Sequence, residues 1–510
     1  MPIPTMSAEG LLVKINPGLE APTLKAIKGR LGSDMRSKRL CQELLWHHIT
    51  SKKVTDRNAE KVFDIAHGLL DIPGVLAIEP NLAILIKDEQ KLTEEKVDPK
   101  TDRQYTWHIE NVKASDARRE FSVTGEGVRV SHLDTGYTKH PELVIGTSVR
   151  ADLGCNFVEK TTDPLEPLNT IDEGHGTATA SVLVGLPGKQ HSDSDPAYVE
   201  GIAPGAELIP IRVDKDFVIW KPAEEISGIN HALKQDCQVI SMSRGGALDY
   251  GSLHEAIQLA VSRGTIVVAA AGNKVKNVVY PAKYEEVVCA AGSTFDMAFW
   301  EDSSRGREVT IAAPAWSVYR ARTVKRKNTY AFNVERSSGT SYATPIVAGA
   351  AALWIQRHGG ASALAGRLGG HQKIPVAFKV LLGKTAQPGR DWDPNFGPGI
   401  LDCVALLNAN LPKPEDLPTI MDNLRVQAHA SSRRISELVL SGRIGAVLDP
   451  RALHLYSLEI EAEAMRNPQF ESLLAIATKK SSTTVNTEGL VNALLEDQSI
   501  SKSLRRVLGS

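Results

Sequence analysis

Val130-Ser131-His132-Leu133-Asp134-Thr135-Gly136 is a short, largely apolar run that ends on a carboxylate followed by a turn residue. Such a run predicts a buried strand whose last side chain stands at its carboxyl end. The strand signal spans 128–133, and similar runs recur at 208–213, 239–242, 265–270 and 287–291. Between them the periodicity turns helical, over 177–184, 223–234, 253–263 and 340–357. Near-continuous apolar strands separated by helices predict an α/β fold, a mostly parallel sheet covered on both faces. Ligands in such folds bind beyond the carboxyl ends of the strands, which is where Asp134 is placed.

Working outward, residues 1–86 open with a strand-like run at 11–15. Helical patterning follows at 40–48 and 59–70, then two strand-like pieces at 74–79 and 82–86, so a small α+β domain is expected. Residues 87–106 form a linker; the stretch 87–104 holds eleven charged residues and almost nothing to bury, a natural region for processing. The α/β domain occupies 107–410. Residues 411–510 begin with a Pro-rich hinge and continue with helical spacing at Ile435, Leu438 and Val439, then Leu453, Leu455 and Leu458, then Leu490, Leu494 and Leu495. With 12 basic residues, 12 acidic residues and two aromatics, this helical extension carries no catalytic constellation of its own. It is read as a regulatory or partner-binding region.

Composition excludes several classes. Of 510 residues, 42% are hydrophobic and 23% charged, which is ordinary globular usage. Fifty-nine basic residues against 60 acidic ones give no field for nucleic acid or an anionic membrane. Five widely spaced cysteines make neither a disulfide framework nor a zinc motif. No apolar run approaches the roughly 18–20 residues of a membrane span, and the start lacks the build of a signal peptide. A cytoplasmic location is therefore expected.

Two further segments belong with Asp134. Gly174-His175-Gly176-Thr177 puts a histidine at the start of an apolar helix. Ser338-Gly339-Thr340-Ser341-Tyr342-Ala343-Thr344-Pro345 puts a serine at the start of a long one. A serine hydroxyl needs a base to take its proton, and imidazole suits that role near neutral pH. A carboxylate then fixes the ring's tautomer. A helix start offers unpaired N–H groups to a developing oxyanion. The chain order Asp134, His175, Ser341 is that of subtilisin, and residues 107–408 resemble a subtilase catalytic domain. The segments Gly201-Ile202-Ala203-Pro204-Gly205, Ser241-Met242-Ser243-Arg244-Gly245-Gly246, Ala270-Ala271-Gly272-Asn273 and Tyr280-Pro281-Ala282 follow in the family's sequence.

The resemblance implies a serine endopeptidase working through an acyl-enzyme. Ser341 is its nucleophile, His175 its base and Asp134 the group that orients His175. Asn273 and the Ser341 N–H would hold the oxyanion. It also implies a protein or peptide substrate lying beside Ser243, Arg244 and Gly245, with Ala271, Gly272 and Val279 around the primary pocket. Arg244 departs from a common apolar residue, and its guanidinium either lines the cleft or faces solvent. Val279 stands where glycine is frequent and would shorten the pocket. Tyr342 replaces a frequent methionine, which leaves the triad intact and removes one oxidisable thioether, and Ile346 replaces a frequent histidine with no obvious chemical consequence. Residues 11–81 resemble an inhibitory subtilase propeptide with an extra helical insert near 32–58. No cofactor is required for catalysis, and structural calcium, common in the family, finds no spacing that assigns it. Two alternatives are a gated signalling or assembly protease whose helical extension binds a partner, and a non-catalytic scaffold. An exopeptidase has no feature in its favour.

Overall fold

The computed structural model describes residues 5–55, 59–85, 105–169, 173–186, 198–215, 219–327, 329–388, 391–417, 449–466, 487–497 and 500–509. The charged linker lies almost wholly outside the described residues, as do Ile435, Leu438 and Val439.

The first unit comprises β1 (Thr5–Ile15), α1 (Glu20–Leu31), β2 (Arg36–Arg39), β3 (Trp46–Thr50), α2 (Ala59–Leu69) and β4 (Val75–Leu85). Its antiparallel sheet runs β2-β3-β1-β4. The helix expected at 40–48 is instead a turn leading into β3, and the insert near 32–58 is a β2–β3 hairpin rather than helical. Leu45 adopts a φ of 61°, which stops a helix, and Trp46 then enters the core as a strand residue. The pieces at 74–79 and 82–86 form one strand. Pro80 lies within it opposite an irregularity of β1 between Ala8 and Leu11, a place where the missing N–H costs little.

The second unit opens with α3 (Trp107–Asn111) and α4 (Ala114–Phe121), followed by β5 (Arg129–Asp134), β6 (Cys155–Asn156) and α5 (His175–Val184). Then come β7 (Glu207–Arg212), β8 (Ile219–Trp220), α6 (Pro222–Lys234), β9 (Val239–Met242), α7 (Gly251–Ser262), β10 (Ile266–Ala270), β11 (Val288–Ser293) and β12 (Ile311–Pro314). A hairpin of β13 (Val318–Arg326) and β14 (Thr329–Ser337) precedes α8 (Thr340–Arg357), α9 (Ala361–Leu368), α10 (Lys373–Thr385) and α11 (Cys403–Asn408). The sheet order is β12-β11-β10-β9-β5-β7-β6, parallel throughout. Alternate residues serve opposite layers, as a pleated strand requires. Val130, Val239, Ile266 and Val268 pack towards α5 and α8, while Leu133, Ile240, Val267 and Ala269 pack towards α6 and α7.

The first unit rests on the α6–α7 face. The Glu79 carboxylate accepts from the Ser252 N–H at 3.3 Å and the Ser252 hydroxyl at 2.5 Å, at the start of α7. Asn81 Oδ1 accepts from the Ala223 N–H at 3.2 Å, at the start of α6. These helix starts are the places where polar oxygens stabilise most. Lys14 and the Trp46 indole both reach Glu255, at 2.9 and 3.0 Å, and β4 pairs with β8.

The described part of the extension is helical, at Pro450–Arg466, Thr487–Glu496 and Lys502–Leu508. Leu455, Leu458 and Ala462 join one apolar cluster with the first unit and the α6–α7 layer. Arg451 donates to the Val75 carbonyl at 2.6 Å, His454 Nε2 meets Glu79 Oε1 at 2.7 Å, and Glu461 accepts from the Asp249 N–H at 3.1 Å. Among the described residues no helix is long and apolar enough to cross a membrane.

Candidate active site

Asp134 ends β5 in the middle of the sheet, with its carboxylate fully buried. Its Oδ1 accepts from the Thr135 N–H at 2.7 Å and meets His175 Nδ1 at 2.7 Å. Burial alone would raise this carboxyl, but the His175 imidazole outweighs it and holds Asp134 well below the usual carboxylate range. An ionised Asp134 calls for a proton on Nδ1, which leaves Nε2 with its lone pair, the state a base needs.

His175 opens α5, and the helix start lies tight against the Asp134 loop. A Cβ on Gly176 would sit 2.1 Å from the Gly136 carbonyl oxygen, so only glycine permits the approach. Glu166, which sequence reasoning missed, ties the two segments. One oxygen accepts from the Gly174 N–H and the other from the Thr135 hydroxyl, both at 2.8 Å, while that hydroxyl accepts from the Gly176 N–H at 2.9 Å. Burial pushes the Glu166 carboxyl up to about 7 against the pull of these donors. Glu166 lies eight residues before Gly174 in an irregular loop, and no periodicity marks it.

Ser341 stands in the first turn of α8 and is nearly buried. Its hydroxyl donates to the Ser243 carbonyl at 3.1 Å, just past the end of β9. Asn273 follows β10. Its Oδ1 accepts from both the N–H and the hydroxyl of Thr340, at 2.9 and 2.8 Å. With that oxygen engaged, Nδ2 is left to point elsewhere. A Cβ placed on Gly339 would lie 3.5 Å from Asn273 Nδ2 and 3.6 Å from the Ser341 N. Glycine thus leaves open a small space flanked by two donors beside the serine, the requirement for stabilising an oxyanion.

Two expectations about the cleft can be placed. Arg244 neither lines the cleft with its guanidinium nor faces solvent. Its side chain is 1% exposed, ion-paired with Asp214 and, through Nε at 2.8 Å, with Glu225. One cation between two buried carboxyls cannot neutralise both. Burial accordingly raises both groups, Asp214 well above its ordinary value and Glu225 to about 7, with Arg244 opposing. Both partners lie in other elements, so nothing adjacent to Arg244 in the chain announces the pairing. Val279 donates its N–H to the Ala271 carbonyl at 3.0 Å. Its methyls lie 2.5 Å from where a Gly245 Cβ would be and 3.2 Å from where a Gly272 Cβ would be, so Val279 occupies the gap between those two segments. Among the described residues no group of three or more His, Cys, Asp or Glu side chains is gathered to hold a metal ion.

Comparison with known proteins agrees with this fold. Residues 125–399 match the model of the subtilase family, Peptidase S8. The chain is 30% identical over 317 residues to a thermostable alkaline protease of Halalkalibacterium halodurans, covering 61% of this chain and 80% of that one. It is 32% identical to subtilisin Savinase of Lederbergia lenta over 49% of this chain and 84% of the relative. With subtilisin E of Bacillus subtilis the identity is 31%, over 58% and 72% respectively. The crystal structure of fervidolysin from Fervidobacterium pennivorans, a keratinolytic enzyme related to subtilisin, superposes with a TM-score of 0.58 at 21% identity. That match covers 80% of this chain and 62% of fervidolysin, and it speaks for the fold. With more than half its length matched by the family model and its α/β domain shared with these proteases, the chain belongs to the subtilases and is a subtilisin-like serine endopeptidase.

Proposed function

We propose that this chain cleaves peptide bonds through an acyl-enzyme formed on Ser341, with His175 as general base and Asp134 as its orienting carboxylate. The observation that carries the reading is the 2.7 Å contact of Asp134 with His175 Nδ1. Ser341 turns from the Ser243 carbonyl towards His175 Nε2, which takes its proton as Oγ attacks the scissile carbonyl. The oxyanion enters the space beside Gly339 and receives hydrogen bonds from Asn273 Nδ2 and the Ser341 N–H. His175 then gives its proton to the leaving amine, and water repeats the sequence to release the acid. The substrate pairs through its main chain with the 243–245 segment, so pocket shape sets the preference. Val279 between Gly245 and Gly272 favours small or medium side chains before the scissile bond. Protein or peptide is the substrate class.

Residues 1–86 act in this reading as a retained or cleavable inhibitor. Glu79 and Asn81 at the starts of α7 and α6, and the pairing of β4 with β8, support it. The contacts of Arg451, His454 and Leu455 favour a second element of control, in which the C-terminal helices secure the inhibitory unit. The partner expected for residues 411–510 is then the chain's own first unit.

Intact-mass analysis of wild type beside Ser341→Ala, with fluorophosphonate labelling, tests the whole. Self-cleavage within 87–106 in wild type alone, and label on Ser341, are expected. A wild type that takes no label even after the linker has been cut and the first unit removed would defeat the triad. Cleavage in both proteins would assign processing to another protease.

A further inference from the structure

His132 lies two residues before Asp134 on the same face of β5, and it is fully buried. A strand residue pointing at an apolar helix is ordinarily aliphatic, so a histidine there needs a partner. It has one on α5. His132 Nε2 is 3.0 Å from the Thr179 hydroxyl, and that hydroxyl is 3.3 Å from Asp134 Oδ2. The direct separation of His132 Nε2 and Asp134 Oδ2 is 3.9 Å, too long for a hydrogen bond, so the hydroxyl is the connection.

The proton order follows from counting donors. Thr179 has one hydroxyl proton, and the neighbouring His175 and Gly176 carbonyls, at 3.0 and 3.3 Å, compete for it. An ionised Asp134 is the stronger acceptor. If His132 carries its proton on Nε2, it donates to the Thr179 oxygen, freeing the Thr179 proton for Asp134 Oδ2. The other tautomer would set a buried Nδ1–H against no acceptor, because His132 Nδ1 has no hydrogen-bond partner among the described residues. An unsatisfied lone pair costs less than an unsatisfied N–H. Burial lowers the His132 basicity, which keeps the ring neutral behind the site.

We infer that His132 and Thr179 are positioning residues of the active site, forming an ordered chain from His132 Nε2–H through the Thr179 hydroxyl to Asp134 Oδ2. His175 Nδ1–H meets the other oxygen. The inference rests on the triad reading above. Its effect is to fix the plane of the Asp134 carboxylate and to place a donor on Oδ2 as well as those on Oδ1. The charged and titratable groups facing Asp134 are His175 from α5, His132 from β5, Arg244 after β9, Glu225 from α6 and Glu166 from the loop before α5.

Removing the donor on Oδ2 leaves more negative charge against His175, so the imidazolium is stabilised and the acid limb of the rate profile moves to higher pH. Thr179→Val keeps the shape and removes the hydroxyl. It should lower kcat about tenfold, as expected for one charge-assisted hydrogen bond, with KM little changed and the acid limb raised. Thr179→Ser should restore both. His132→Gln retains a donor and should act like wild type, whereas His132→Leu should resemble Thr179→Val. Near-UV circular dichroism and thermal melting select folded variants for the comparison. If Thr179→Val keeps the wild-type kcat and acid limb, the chain is overturned. If His132→Gln and His132→Leu are impaired equally, His132 serves packing alone and the proposal fails. A wild type that, with the linker cut and the first unit removed, neither hydrolyses peptide nor takes the fluorophosphonate removes the triad, and the chain with it.

Discussion

Ser243 and Ser341 exchange hydrogen bonds: the Ser243 hydroxyl donates to the Ser341 carbonyl at 2.9 Å, and the Ser341 hydroxyl donates to the Ser243 carbonyl at 3.1 Å. The segment after β9 therefore holds both the backbone and the side chain of the proposed nucleophile. Ser243→Ala keeps the second bond and loses the first. A neutral hydrogen bond contributes about 1 kcal/mol, so a roughly fivefold fall in the fluorophosphonate labelling rate is expected. An unchanged rate would mean that α8 holds Ser341 without help.

Gly339→Ala tests the oxyanion space. The new methyl would occupy the place flanked by Asn273 Nδ2 and the Ser341 N–H. We expect kcat to fall at least as far as in Asn273→Ala, by about 10²–10³-fold, a range measured on subtilisin itself and taken over from that relative. Hydrolysis of a peptide ester and a matched amide reads this directly. Full activity in the alanine variant would place the oxyanion elsewhere.

Val279→Gly should open the gap between Gly245 and Gly272. Wild type is expected to favour alanine or valine before the scissile bond, and the variant to gain cleavage after phenylalanine or leucine. A peptide panel with that one position varied measures it. The same preference in both proteins would show that Val279 does not bound the pocket.

Arg244→Met strands Asp214 and Glu225 in a dry site. Breaking a buried ion pair on one side costs about 3–5 kcal/mol, which urea denaturation of the inactive Ser341→Ala background would resolve. A loss below about 1 kcal/mol would mean that both carboxyls already carry protons in the native state.

Docking of the C-terminal helix Pro450–Arg466 should weaken on raising the pH above 6.5. Burial pushes Glu459 and Glu461 up to about 7 from an ordinary 4.5, so the docked helix holds their protons more tightly and loses stability as the pH rises through that interval. Burial opposes charge on His454 too, but Glu79 outweighs it and raises the imidazole, so that ion pair is lost as the pH passes its raised value. His67, stacked on Tyr456 and pulled down to about 4 by burial, acts oppositely, but its contribution is complete by pH 6.5. Nicking Ser341→Ala with trypsin in the charged linker and measuring release of the first unit at pH 6 and pH 8 gives the test. Faster release at pH 8, flattened by Glu461→Gln, is expected. Equal release would detach these groups from the docking.

The central sheet was legible because its strands are buried on both faces. Residues 239–242 read as a strand and form β9 without a shift of either boundary, and 340–357 likewise form α8. The segments around Asp134, His175, Ser341 and Asn273 were legible because their side chains work next to strand and helix ends, where short motifs survive. Features made by distant partners were not. Arg244 meets Asp214, 30 positions away, and His132 meets Thr179, 47 away, so each looked like an isolated residue. Residues 40–48 carried apolar spacing that suits a helix, but a left-handed Leu45 and the neighbouring β1 made part of it a sheet edge. The β13–β14 hairpin does carry an apolar alternation at Tyr330, Phe332 and Val334, but Tyr330 and Phe332 are exposed, so no demand for core burial accompanies the period.

Asp64 of α2 accepts from the Ser503 N–H at 2.9 Å and the Ser503 hydroxyl at 2.8 Å. A ribosome releases the parts of this chain in order, so α2 and then Ser341 emerge well before Ser503. The first unit can settle on α6 and α7 as soon as those helices exist, but its outer side has no cover until the last helices have been made. During that interval the nascent chain holds its protease domain with the first unit fastened on one side only. The Asp64–Ser503 contact closes only after both segments have been made, so translation itself sets the time at which the first unit is held on both sides.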